Sequence, residues 1–104
     1  MPYRYAFCSD TRYKESLIQK IKGVNLLYHE TTFMQDLEER AKKTGHSTTL
    51  QAATIAKKAD VKRLLIGHYS QRYKDLNTLL NETQEVFPDS HLTYPGMLVD
   101  LQKI

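Results

Sequence analysis

Two short runs, Val24–Tyr28 and Val61–Gly67, place apolar residues side by side: Leu26-Leu27 in the first and Leu64-Leu65-Ile66 in the second. A strand that is apolar on both faces belongs in a sheet covered on both sides. Between and around these runs the period changes to that of a helix. Thr48 followed by Gln51 forms a capping box, in which hydroxyl and amide each satisfy an otherwise open backbone donor. The helix that it opens is predicted to run to about Ala59, with Leu50, Ala53, Ala56 and Ala52, Ile55, Ala59 at helical spacing.

The remaining segments fall into the same alternation. Tyr3–Ser9 reads as a strand and Asp10-Thr11 as a turn. Tyr13–Lys22 is predicted helical and stopped by Gly23, and Asp36–Lys43 is predicted helical and stopped by Gly45. Tyr73–Phe87 is a further amphipathic helix, closed by Pro88, and His91–Tyr94 with Met97–Leu101 reads as a hairpin around Pro95-Gly96. Strands and helices in alternation argue an α/β layered architecture rather than a bundle or a sandwich. With 104 residues, the chain is expected to be one domain over 1–104.

Composition narrows the function classes only a little. The chain is 40% hydrophobic and 26% charged, and no apolar run is long enough to span a bilayer, so no membrane role is expected. The opening residues lack the charged, apolar and small pattern of a secretory signal. A single cysteine, Cys8, cannot form an internal disulfide, which fits a cytoplasmic location. The net charge of +3 permits a nucleic-acid partner without demonstrating one, because lysines and acids mix along the predicted helices as on any solvated face.

Several residues could carry chemistry. Asp10 and His68 follow two predicted strands, and in α/β sheets ligands gather at the carboxyl ends of strands. A carboxylate and an imidazole suit a zinc-like ion, although a turn-forming Asp and a chance His are the commoner origin of such a pair. His46 precedes the capped helix, where open backbone N–H groups favour an anion; a solvated loop histidine is the plainer alternative. Glu30 could fix the tautomer of an imidazole or lie on the surface. Arg72, between Tyr69 and Tyr73, could grip a phosphate and stack a base.

Four segments occur together: Cys8-Ser-Asp-Thr-Arg12, Leu26-Leu-Tyr-His-Glu-Thr-Thr-Phe33, Gly45-His-Ser-Thr48 and Gly67-His-Tyr-Ser-Gln-Arg-Tyr73. In order and approximate spacing they resemble the C-terminal half of the ribonuclease Z family, across nearly the whole chain. The resemblance implies an α/β fold, the C-terminal half of a metallo-β-lactamase αββα sandwich. It also implies a zinc-dependent endoribonuclease that cleaves precursor tRNA after the discriminator nucleotide, with two metal ions, zinc or other divalent metals. On that likeness Asp10 corresponds to the carboxylate bridging both metals and His68 to the last histidine ligand. His46 corresponds to a non-ligand catalytic histidine, with Glu30 as its orienting partner, and Arg72 and Tyr73 to residues that contact RNA.

The family's His-x-His-x-Asp-His motif is absent: histidine occurs only at positions 29, 46, 68 and 91. The expected partners are therefore the N-terminal half of the same domain and, by resemblance, a second copy in a homodimer. Met1 is expected to mark a truncation, and the chain alone is expected to be inactive. Two other functions compete: a different phosphodiesterase or hydrolase of the same fold, and a non-catalytic dimerising fragment.

Overall fold

The computed structural model describes residues 3–9 and 11–94. Four strands, β1 (Tyr5–Cys8), β2 (Leu26–Glu30), β3 (Arg63–Gly67) and β4 (Ser90–Leu92), form one sheet in the order β1-β2-β3-β4. Each neighbouring pair is parallel. The crossovers carry helices α1 (Ser16–Ile21), α2 (Glu38–Thr44, entered by a 3₁₀ turn at Gln35–Leu37), α3 (Thr49–Lys58) and α4 (Leu76–Gln84). A parallel sheet needs such long connections, so the α/β alternation read from the sequence is physically matched to this topology.

The capping box at Thr48 is formed: its hydroxyl accepts from the Gln51 N–H, and the Gln51 side chain accepts from the Thr48 N–H. From that fixed start α3 lays Ala52, Ala53, Ile55 and Ala56, all fully buried, toward the interior. Ile55, Ala56 and Ala59 meet Leu27 of β2 and Leu64 and Ile66 of β3, with Ile21, Val24 and Val61 closing the cluster. Each large aliphatic side chain removed from water there contributes roughly 1.5–3 kcal/mol. The alanines keep the helix close to the sheet.

Several element bounds differ from the sequence reading, among them α1, which spans Ser16–Ile21 rather than Tyr13–Lys22, and β3, which starts at Arg63 rather than Val61. The strand expected at Val24–Tyr28 begins at Leu26 and runs on through His29 and Glu30, because Gly23 (φ 73°) and Val24 are still turning out of α1. The helix expected from Tyr73 starts at Leu76, since the Asp75 carboxylate accepts from the Asn77 N–H and caps it there. The expected first arm of the hairpin instead adds to β3 as parallel strand β4; its second arm, Met97–Leu101, lies outside the described residues.

Candidate metal-dependent active site

The carboxyl ends of β2 and β3 and the start of α3 meet at one edge of the sheet. Thr31 N–H donates to the Gly67 carbonyl at 2.8 Å, and Thr49 N–H donates to the Phe33 carbonyl at 3.0 Å. These bonds hold three loops in fixed register. Gly45, in the left-handed region at φ 76°, ends α2 and turns the chain so that His46 N–H donates to the Ala41 carbonyl at 2.8 Å. That turn delivers the His46 ring to the strand ends.

Glu30 sits at the centre, wholly buried. Its carboxylate accepts from the Thr11 N–H at 2.6 Å and from the Thr32 hydroxyl at 2.5 Å. His46 Nδ1 lies 2.9 Å from one carboxylate oxygen and 3.2 Å from the other. A carboxylate only accepts, so Nδ1 carries the proton that this contact shares. His68 stands alongside, its ring centroid 5.2 Å from that of His46. Its backbone is left-handed at φ 59°, a conformation uncommon for a side chain of this size and frequent at functional sites.

Ligand atoms of Glu30, His46 and His68 all lie within 4.8 Å of one another, a grouping that could hold a metal ion. The hydrogen bonds sort these donors. Glu30 already accepts from three donors, so a metal ion taking its carboxylate would compete with those hydrogen bonds. Its Oε2 is 3.9 Å from His68 Nδ1, too far for a direct hydrogen bond. An imidazole beside this oxygen-rich loop edge is a donor set that fits zinc or another divalent ion.

Arg72 and Tyr73 border the same edge. The Arg72 guanidinium lies over the Phe33 ring, 5.5 Å from its centroid, and Phe33 meets the His46 ring edge-on at 6.4 Å. The Tyr73 hydroxyl accepts from the Met34 N–H at 2.7 Å. Tyr69 is not part of this group: its hydroxyl bonds the Ile66 carbonyl at 2.8 Å and the Thr93 N–H at 3.0 Å. Asp10 lies outside the described residues, but the next residue, Thr11, reaches Glu30 through its N–H and receives a bond from the Ser47 hydroxyl at 2.5 Å. A cleft of about 360 Å³ opens beside His46, lined by Arg12, Tyr13 and Lys42 among others.

The chain is 54% identical to ribonuclease Z of Porphyromonas gingivalis over 96% of its own length, covering 33% of that protein. To ribonuclease Z of Bacteroides thetaiotaomicron it is 48% identical over 94% of its length, covering 31%. The chain matches about a third of ribonuclease Z. No family model matches it. Among solved structures, a long-form RNase Z from yeast superposes with a TM-score of 0.82 at 30% identity, covering 98% of this chain and 14% of that one. A metallo-β-lactamase-fold protein from Bacillus subtilis superposes with a TM-score of 0.84 at 26% identity, covering 91% and 39%. The described residues therefore form part of a metallo-β-lactamase fold, and the resemblance to ribonuclease Z read from the four motifs holds along the whole chain.

Sequence reasoning did not single out Thr32, Phe33 or Ser47 as members of this site. All three lie inside the quoted motifs, and the signal available was the run of small hydroxyl residues at the end of a buried strand.

Proposed function

We propose that this chain is the C-terminal part of a metallo-β-lactamase domain that cleaves precursor tRNA after the discriminator nucleotide, as a ribonuclease Z. The observation that carries the reading is the contact between the buried Glu30 carboxylate and His46 Nδ1 at 2.9 Å, beside His68 and within a chain 54% identical to ribonuclease Z of Porphyromonas gingivalis. Asp10 and His68 would hold the divalent metals, zinc by resemblance. When bound, a zinc pair supplies an activated water and neutralises charge on the phosphate. Glu30 accepts the His46 Nδ1 proton and fixes the ring; in this reading Nε2 first takes up a proton, forming the imidazolium, and then gives that proton to the leaving oxygen. Arg72, standing over Phe33, is placed to meet a phosphate with its outer face.

A catalytic zinc ion takes about three protein ligands, so two residues for a pair of ions leave the chain dependent on the rest of the domain. The chain spans about a third of the length of the curated relatives it matches. The complementary N-terminal segment, a cytoplasmic location and a homodimer belong to this proposal. Replacing the matching segment of the Porphyromonas gingivalis enzyme by this chain tests it. A folded, zinc-loaded chimera that cleaves precursor tRNA supports the reading; one that leaves precursor tRNA intact, or that prefers other phosphodiesters, overturns it.

A further inference from the structure

The Thr32 side chain is nearly buried and touches both sides of the site: its Oγ1 is 2.5 Å from Glu30 Oε2 and 2.9 Å from His68 Nδ1. A hydroxyl has one proton to give. Oγ1 gives that proton to Glu30 Oε2, so toward His68 Nδ1 it accepts. The consequence is a defined tautomer, with the His68 proton on Nδ1 and the lone pair on Nε2.

We infer that Thr32 is a positioning residue which fixes the tautomer and ring orientation of His68, and that Glu30 governs both histidines, His46 directly and His68 through this hydroxyl. The inference rests on the reading above only where His68 is taken as a metal ligand. An imidazole left to itself favours the proton on Nε2, the nitrogen that would have to face the ion. The bond to Thr32 reverses that preference before any ion arrives, as the outer partner of a ligating histidine does in metal sites generally. Because Thr32 is joined to Glu30, the same carboxylate sets the geometry of the proton-carrying histidine and the metal-facing one.

Ring ¹⁵N shifts of His68, recorded for this chain without metal above the ordinary histidine titration range, test the inference. The wild-type protein and Thr32→Ser should both show the proton on Nδ1, and Thr32→Val should move it toward Nε2. Zinc affinity of the chimeric enzyme, which carries the full ligand set, should fall roughly 10-fold or more in Thr32→Val, measured by competition with a chelator, and recover in Thr32→Ser. A wild-type His68 protonated on Nε2, or a Thr32→Val protein that keeps the proton on Nδ1, overturns the inference. If Thr32→Val does not fold, the wild-type and Thr32→Ser spectra still decide. A tautomer switch with unchanged zinc affinity would uphold Thr32 as the positioning residue and remove His68 from the metal set, which counts against the proposed function alone.

Discussion

The two faces of the sheet are built from alternate residues of the same strands, and they do different work. On one face Ala6, Cys8, Leu27, His29, Leu64, Ile66 and Leu92 stand in register; Leu27, Leu64 and Ile66 belong to the core cluster with Ile55, Ala56 and Ala59, and Ala6, Cys8 and Leu92 pack against it. The other face carries Tyr5 and Phe7, which are 70% and 67% exposed, then Tyr28, and at the strand end Glu30. Phe7 stacks on Tyr28 with centroids 4.5 Å apart, yet its outer surface still faces solvent. Gly67 belongs to this second face, and a Cβ there would meet the Tyr28 hydroxyl oxygen at 2.5 Å. One face is thus a packed core, and the other combines exposed aromatics, the buried Leu26 and Leu65, and a polar site.

His29 and Glu30 show the contrast at neighbouring positions. Both are wholly buried. Glu30 accepts three hydrogen bonds, whereas His29 points to the core side, with Nδ1 2.9 Å from the Glu30 carbonyl and Nε2 without a hydrogen-bond partner among the described residues. Burial holds the His29 pKa below its ordinary value, so the ring is neutral in the fold. A one-residue step along a strand moves a side chain from the site into the core.

The largest effect should come from the packed face. Leu64→Ala should cost about 2–5 kcal/mol in denaturant unfolding, because the helix above cannot collapse fully into the space. A cost below about 1 kcal/mol would mean that this face is loosely packed. The opposite face should respond in association instead. Replacing Tyr5 and Phe7 together by Ser should leave unfolding within roughly 0.5 kcal/mol each, while light scattering at micromolar concentration shows loss of the self-association expected of an exposed aromatic face. Unchanged association would move the contact elsewhere; a monomeric parent chain would end the argument for a sheet-face dimer.

The smallest expected effect is the pH dependence contributed by His29. Its folded pKa is depressed, so the unfolded chain takes up a proton first as the pH falls, and stability declines with falling pH from about 6.5 downward. Above that value the group is neutral in both states and contributes no slope. His29→Gln should flatten this part of the profile, and an unchanged slope would assign it to other groups.

Much of the fold was legible because its signals are local. The adjacent leucines of β2 and β3, the Thr48–Gln51 pair and the stop at Gly45 each act within a few residues. The start of α4 was missed because Asp75 competes with the apolar period that reaches back to Tyr73, whose hydroxyl is drawn to Met34 instead. The motifs pointed to Glu30, His46 and His68, which the loops bring together. Thr32 and Ser47 were not legible as contacts, because their partners come from segments far apart in sequence. Tyr69 flanks Arg72 in the sequence as Tyr73 does, but it is half-buried, and its hydroxyl bonds to Ile66 and Thr93 make it part of the wall behind β3 and β4.

The central claim is that Glu30 and His46 act as one unit in precursor tRNA cleavage. Single-turnover rates of the chimeric enzyme carrying Glu30→Gln, His46→Ala or both, compared at equal zinc content, test it most directly. His46→Ala should lower the rate by roughly 10²–10⁴-fold. Adding Glu30→Gln to it should lower the rate little further, since groups that act together are not additive. Losses that multiply in the double variant, or a His46→Ala enzyme that cleaves at the parent rate, would contradict the account.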